Sequence, residues 1–100
     1  MNPATIATRY AAEGWTDTAQ EIRAAIATGR QVLIYRSLRP RGFQTDAATI
    51  PAGMTPAETW HHIQQTNPDA YDRPAVYVGT LGPCSIHSPA FQTTTDTPTP

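Results

Sequence analysis

The sequence predicts a small α+β domain in which three helices pack on a short sheet. Two N-terminal segments have helical spacing, and Thr55 with Glu58 begins a third helix through a capping-box pattern. The apolar run Val32 to Tyr35 suits a strand that is covered on both faces. The predicted architecture has two layers, with an N-terminal helical hairpin and the third helix packed on a mixed sheet of two to three strands.

The helical hairpin is predicted from start and stop signals. Asn2 is an N-cap residue and Gly14 a stop, so the first helix lies between them. Thr18 and Glu21 have the spacing of a capping box, which predicts that the second helix begins there. Trp15 follows the stop and is predicted to fold back on the first helix.

The strands are predicted from short apolar runs. The strongest prediction spans residues 31–38, and residues 36–42 (RSLRPRG) are predicted to end it as a loop. Residues 43–50 predict no more than a weak edge strand. Further strands are predicted at residues 75–80 and 84–87. The succession of a strand, the third helix and a further strand predicts one right-handed parallel crossover.

Composition bounds the class of protein. The chain has 100 residues and a net charge of −1, so no global field attracts nucleic acid or an anionic membrane. Cys84 is the sole cysteine and no secretory signal or membrane span is recognisable, which predicts a cytoplasmic location. Residues 1–87 are predicted to form one domain, and residues 88–100, rich in Thr and Pro, a disordered tail.

Catalytic machinery is not recognisable. All seven basic residues are arginines, which excludes a Schiff-base lysine and a P-loop lysine. The chain has no nucleophile elbow and no persuasive pair of carboxylates. We therefore expect a protein that is not an enzyme, with no catalytic residues and no cofactor.

An arginine-rich loop is the main candidate binding surface. Arg36, Arg39 and Arg41 fall within six residues, and Phe43 follows them. Tyr71 lies between two aspartates in a second loop and is a candidate interface anchor. Arginines beside aromatic rings suit an acidic protein surface, or nucleic acid through phosphate contacts and base stacking. The alternative is that the arginines pair with carboxylates elsewhere in the fold.

One set of side chains has metal-ligand chemistry: His61, His62, Cys84 and His87. Adjacent helical residues such as His61 and His62 point about 100° apart, which works against a shared metal. We therefore predict no metal site and keep a small Cys/His metal protein as the second alternative.

The leading prediction is a non-enzymatic accessory or inhibitor protein that binds an acidic protein surface through Arg36, Arg39, Arg41, Phe43 and Tyr71. Inhibitors of host defence complexes from phages or mobile elements are one class of such proteins. The first alternative is a nucleic-acid-binding protein that uses the same residues. The sequence leaves the oligomeric state open.

Overall fold

The computed structural model describes residues 2–78 and 81–86, without the side chains of residues 81 and 82. Three helices and four strands confirm the predicted α+β class. The helices are α1 (Pro3–Ala12), α2 (Thr16–Ala27) and α3 (Pro56–Thr66); the strands are β1 (Gln31–Arg39), β2 (Gly42–Thr49), β3 (Ala70–Val78) and β4 (Leu81–Ser85). The predicted tail at residues 88–100 lies outside the described residues.

The sheet is antiparallel throughout the described residues, with strand order β2-β1-β3-β4. The predicted mixed sheet of two to three strands and its parallel crossover from β1 to β3 are therefore wrong. The reason is β2: the chain reverses direction before it enters α3, so α3 connects β2 to β3 and passes over β1. Strand β3 consequently runs parallel to β2 and antiparallel to β1.

A tight hairpin replaces the predicted loop at residues 36–42. Strand β1 continues to Arg39, and Gly42, the residue paired with it, already belongs to β2. Only Pro40 and Arg41 form the turn. Gly42 has a φ of +119°, a backbone conformation that favours glycine. This short connection places the arginines on and beside a rigid strand.

Helices cover both faces of the sheet, so the domain has three layers where the sequence predicted two. Val32 and Ile34 pack with α1 and α2, while Leu33 and Tyr35 pack with Trp60 of α3. Alternate residues of a strand point to opposite faces. Four consecutive buried residues therefore need an apolar layer on each side, which the helical hairpin and α3 supply.

The helix ends follow local capping rules in most places. At the end of α1, Trp15 N–H donates to the Tyr10 carbonyl and Gly14 N–H to the Ala11 carbonyl, which is the Schellman pattern. The Trp15 side chain nevertheless remains 63% exposed and does not fold back as predicted. Helix α2 begins at Thr16, so the predicted start at Thr18 is wrong.

Helix α3 begins as the sequence predicts. The Thr55 hydroxyl accepts a hydrogen bond from Glu58 N–H at 3.1 Å, and the Glu58 carboxylate accepts one from Thr55 N–H at 2.8 Å. These reciprocal bonds satisfy two backbone donors that the first turn of a helix leaves unpaired. The cap fixes where α3 starts and thereby how it lies on the sheet.

Candidate functional site

The end of the sheet beyond the helices exposes three large apolar side chains. Leu38, Phe43 and Tyr71 are 47%, 49% and 52% exposed, and we call them the distal patch. Leu38 and Phe43 are direct cross-strand partners on the β1–β2 hairpin, and Tyr71 lies near the start of β3. Exposed apolar groups that cluster in this way are typical of interaction surfaces.

An arginine joins the two rings of the distal patch. The ring centroids of Phe43 and Tyr71 lie 5.1 Å apart with a tilt of 46°. The guanidinium carbon of Arg36 lies 3.8 Å from the Phe43 centroid and 5.9 Å from that of Tyr71. Cation–π contacts of this kind hold both rings in place. The distal patch is thus ordered before any partner arrives.

Asp72 neutralises the charge of Arg36. Arg36 Nε donates to Oδ1 of Asp72 at 2.6 Å, and Nη2 donates to Oδ2 at 2.7 Å. This two-pronged geometry is the strongest that an arginine forms with a carboxylate. The bonds from Arg36 hold the pKa of the Asp72 carboxyl below its usual value, with a smaller contribution from Arg73. Arg36 therefore positions the rings without offering a free charge.

Arg39 belongs to a different cluster, centred on the buried carboxylate of Asp46. Arg39 donates to Asp46 at 3.1 Å and to Asp69 at 2.9 Å. Asp46 also accepts hydrogen bonds from Arg9 at 2.7 Å, Tyr10 at 2.8 Å and Gln44 at 3.1 Å. We call this cluster the Asp46 hub. The charge of Arg39 is therefore neutralised by aspartates of the same chain.

The pKa of the Asp46 carboxyl reflects two opposing effects. Burial favours the neutral acid and would raise the pKa, but the surrounding donors outweigh burial and lower it. These donors come from Ser37, Tyr10, Gln44 and Arg39. Burial also raises the pKa of the Tyr10 hydroxyl, which therefore stays protonated and donates to Asp46.

Helix α1 and the Asp46 hub also close the outer edge of β2. Arg9 donates to the Thr45 carbonyl at 2.7 Å, and Ala47 N–H donates to the Tyr10 hydroxyl at 3.0 Å. These backbone groups point away from β1 and would otherwise be open to another strand. The segment predicted as a weak edge strand is an edge strand of eight residues, and two of its outward backbone groups bond to side chains of α1.

Of the five residues predicted to bind a partner, the structure brings three together. Arg36, Phe43 and Tyr71 are in contact at the distal patch. Arg39 lies in the Asp46 hub, and Arg41 is exposed in the turn. The predicted single arginine loop is therefore divided among three environments, because successive strand residues alternate between faces.

Leu38 and Asp72 were not predicted to belong to the binding surface. The alternation in Arg36-Ser37-Leu38-Arg39 would have indicated that Arg36 and Leu38 share a face. The pairing of Asp72 with Arg36 joins residues 36 positions apart and leaves no local signal.

The second alternative, a Cys/His metal protein, lacks a complete ligand set in the part of the chain that is described. Within residues 2–78 and 81–86, no group of three or more His, Cys, Asp or Glu side chains could hold a metal ion. His61 and His62 are exposed on α3, and His87 lies outside the described residues.

Across residues 2–78 and 81–86, none of the helices has both the length and the apolar character needed to cross a bilayer.

The chain was compared with protein-family models, curated proteins and solved structures. None of them matches it. A functional assignment therefore depends on the geometry of the distal patch and its surroundings.

Proposed function

We propose that this protein acts by binding another protein through the distal patch. The observation that supports this proposal is the cluster of Leu38, Phe43 and Tyr71, all about half exposed at the end of the sheet that no helix covers. Aromatic and arginine side chains are enriched at the energetic centres of protein interfaces. Because Arg36 already orders both rings, binding would cost little side-chain entropy.

The charges around the distal patch favour a partner with acidic groups. Arg36 is neutralised by Asp72, whereas Arg41 and Arg73 are exposed and have no ion pair among residues 2–78 and 81–86. Two exposed arginines, one two residues before Phe43 and one two residues after Tyr71, complement a partner surface with an apolar pocket and carboxylates at its rim. Inhibition of a host defence complex is one form that such binding would take, and it stays a prediction.

Nucleic-acid binding is the weaker candidate. That prediction required several free arginines beside the aromatic rings, but Arg36 and Arg39 donate to aspartates of the same chain. Phosphate contacts by Arg36 would compete with a hydrogen-bonded carboxylate. The proposed protein partner needs only the exposed rings and the charges of Arg41 and Arg73.

The experiment is a pull-down of tagged protein from cells of the source organism, run both with and without nuclease and followed by mass spectrometry. Wild type is compared with the double substitution Phe43→Ala/Tyr71→Ala. The matched control is His62→Ala, which removes an exposed aromatic ring of α3 that belongs neither to the distal patch nor to the Asp46 hub. We expect one stoichiometric protein that the control retains and the double variant loses.

A charge-reversal variant tests whether the partner surface is acidic. Arg41→Glu/Arg73→Glu should weaken capture of the same partner by about tenfold or more, because like charges at a rim oppose association. Circular dichroism checks that every variant keeps the fold. Equal capture by wild type and the folded double variant would disprove the docking surface. Partners that disappear with nuclease would instead favour nucleic acid.

A further inference from the structure

A cleft of about 380 Å³ lies beside β2, where the end of α1 reaches the Asp46 hub. It shares no residue with the distal patch. Aromatic and charged side chains from α1, from the turn that follows it and from the sheet line the cleft, with Tyr10, Glu13, Trp15, Tyr35, Arg39 and Asp46 most relevant to its chemistry. Its volume is within the range of small-molecule sites in proteins.

Most charged groups of the cleft are already paired. Asp46 accepts hydrogen bonds on both carboxylate oxygens, and both terminal nitrogens of Arg39 donate to aspartates. Glu13 differs from them: its side chain is 46% exposed, and its ion pair with Arg9 is long, at 3.8 Å. That arginine also donates to Asp46 and Thr45. The charge that remains available to a ligand is therefore a carboxylate.

Three aromatic residues line the same cleft as this carboxylate. Trp15 is 63% exposed on the turn between α1 and α2, and the more buried Tyr10 and Tyr35 also line the cleft. The faces of aromatic rings attract cations, and tryptophan does so most strongly. An exposed indole and an available carboxylate that line one cleft, two residues apart in the chain, thus favour a positively charged ligand over an anion.

We propose that this cleft binds a small organic cation, with an ammonium or methylated ammonium group held between Trp15 and Glu13. A free amine and the side chain of a lysine share this chemistry. An anion would need Arg39, which Asp46 and Asp69 occupy. This inference goes beyond the proposed docking function and does not depend on the distal patch.

The test is a calorimetric titration of the full chain with choline and with 3,3-dimethyl-1-butanol, its uncharged isostere. Choline is expected to bind with a Kd of about 1 mM or tighter. The isostere is expected to bind at least about fivefold more weakly, because it lacks the charge that the ring and carboxylate recognise. Nα-acetyl-lysine methylamide serves as a second cation, and tighter binding than choline would indicate a lysine side chain as the source.

Matched variants locate the site. Trp15→Ala and Glu13→Gln should each weaken choline binding by about 3- to 30-fold. Glu21→Gln, which changes an exposed carboxylate of α2 outside the cleft, should leave it unchanged. Equal affinity for the isostere, binding of inorganic phosphate in place of choline, or no cation binding up to about 50 mM would overturn the proposal.

Discussion

The two halves of β1 differ in what covers them. From Val32 to Tyr35 every residue is buried, with the helical hairpin on one face and α3 on the other. From Arg36 to Arg39 no residue belongs to either hydrophobic cluster, and only Ser37 is buried. Ion pairs and half-exposed apolar side chains take the place of a core there. One strand therefore combines a stabilising half with a half that is available for contacts.

This difference separates stability from recognition. Substitutions in the covered half should lower the free energy of unfolding, because they leave cavities between packed layers. Substitutions of exposed side chains in the open half should leave stability almost unchanged and alter binding instead. The following experiments test how sharp this boundary is, in order of decreasing effect on stability.

The same substitution at two positions of β1 gives the largest contrast. Leu33→Ala should lower the free energy of unfolding by about 2–5 kcal/mol, because Leu33 is fully buried. Leu38→Ala should change it by no more than about 0.5 kcal/mol, because nearly half of Leu38 is exposed. Urea denaturation measures both. Similar losses for the two variants would mean that the distal half is also part of the core.

Removing the charge of the Asp46 hub should have the next largest effect. Asp46→Asn should cost about 2 kcal/mol, because Arg9 and Arg39 lose their buried counter-charge. The side chains of both arginines are partly exposed, so water limits the penalty. Asp72→Asn is the matched control, since its carboxylate is far more exposed. A smaller loss for Asp46→Asn than for the control would contradict the central role of the hub.

Acid should lower the stability of the fold by protonating the carboxylates of Asp46 and Asp72. The pKa values of Asp46 and Asp72 are lowered in the folded state, so their contribution is fully present above the unfolded value of about 4. This contribution is lost as the pH falls through the lowered pKa values of the folded state, because the unfolded chain then binds more protons. Urea midpoints between about pH 7 and pH 2.5 should show this decline. The slope should flatten in Asp46→Asn.

A smaller loss of stability than in Asp46→Asn is expected at the edge of β2. Tyr10→Phe should cost about 1 kcal/mol, because it removes the hydroxyl that accepts from Ala47 N–H and donates to Asp46. Hydrogen exchange at the Ala47 amide should accelerate in this variant. Tyr71→Phe, which removes a hydroxyl from a half-exposed ring, serves as the control and should not change that exchange rate.

The sequence predicted what local chemistry determines. The apolar run at Val32 to Tyr35 and the capping box at Thr55 lie within a few residues of the features they specify, and both predictions were confirmed. Strand β2 was underestimated because its sequence, GFQTDAAT, has few β-branched residues and an aspartate at position 46. That aspartate is accommodated by donors from α1 and β1, which no local pattern reveals.

In the candidate site too, residue types could be predicted from the sequence but long-range pairings could not. The sequence singled out Arg36, Phe43 and Tyr71 by residue type, but their grouping depends on strand pairing. Asp72, the partner of Arg36, lies 36 positions along the chain, and the two partners of Arg39, Asp69 and Asp46, lie 30 and 7 positions along it. These pairs form across strands, so the sequence left open whether the two arginine charges were free. Alternation along β1 then sends the two arginines into separate clusters.

The two bonds from α1 to the outer edge of β2 have a consequence for synthesis on the ribosome. Helix α1 spans residues 3–12 and supplies Arg9 and Tyr10, whereas β2 spans residues 42–49. Chains emerge from the amino end, so the side chains that cap the strand leave the exit tunnel before the strand does. When β2 emerges, the side chains that bond to its outer edge have already been synthesised, so these two bonds require no later part of the chain.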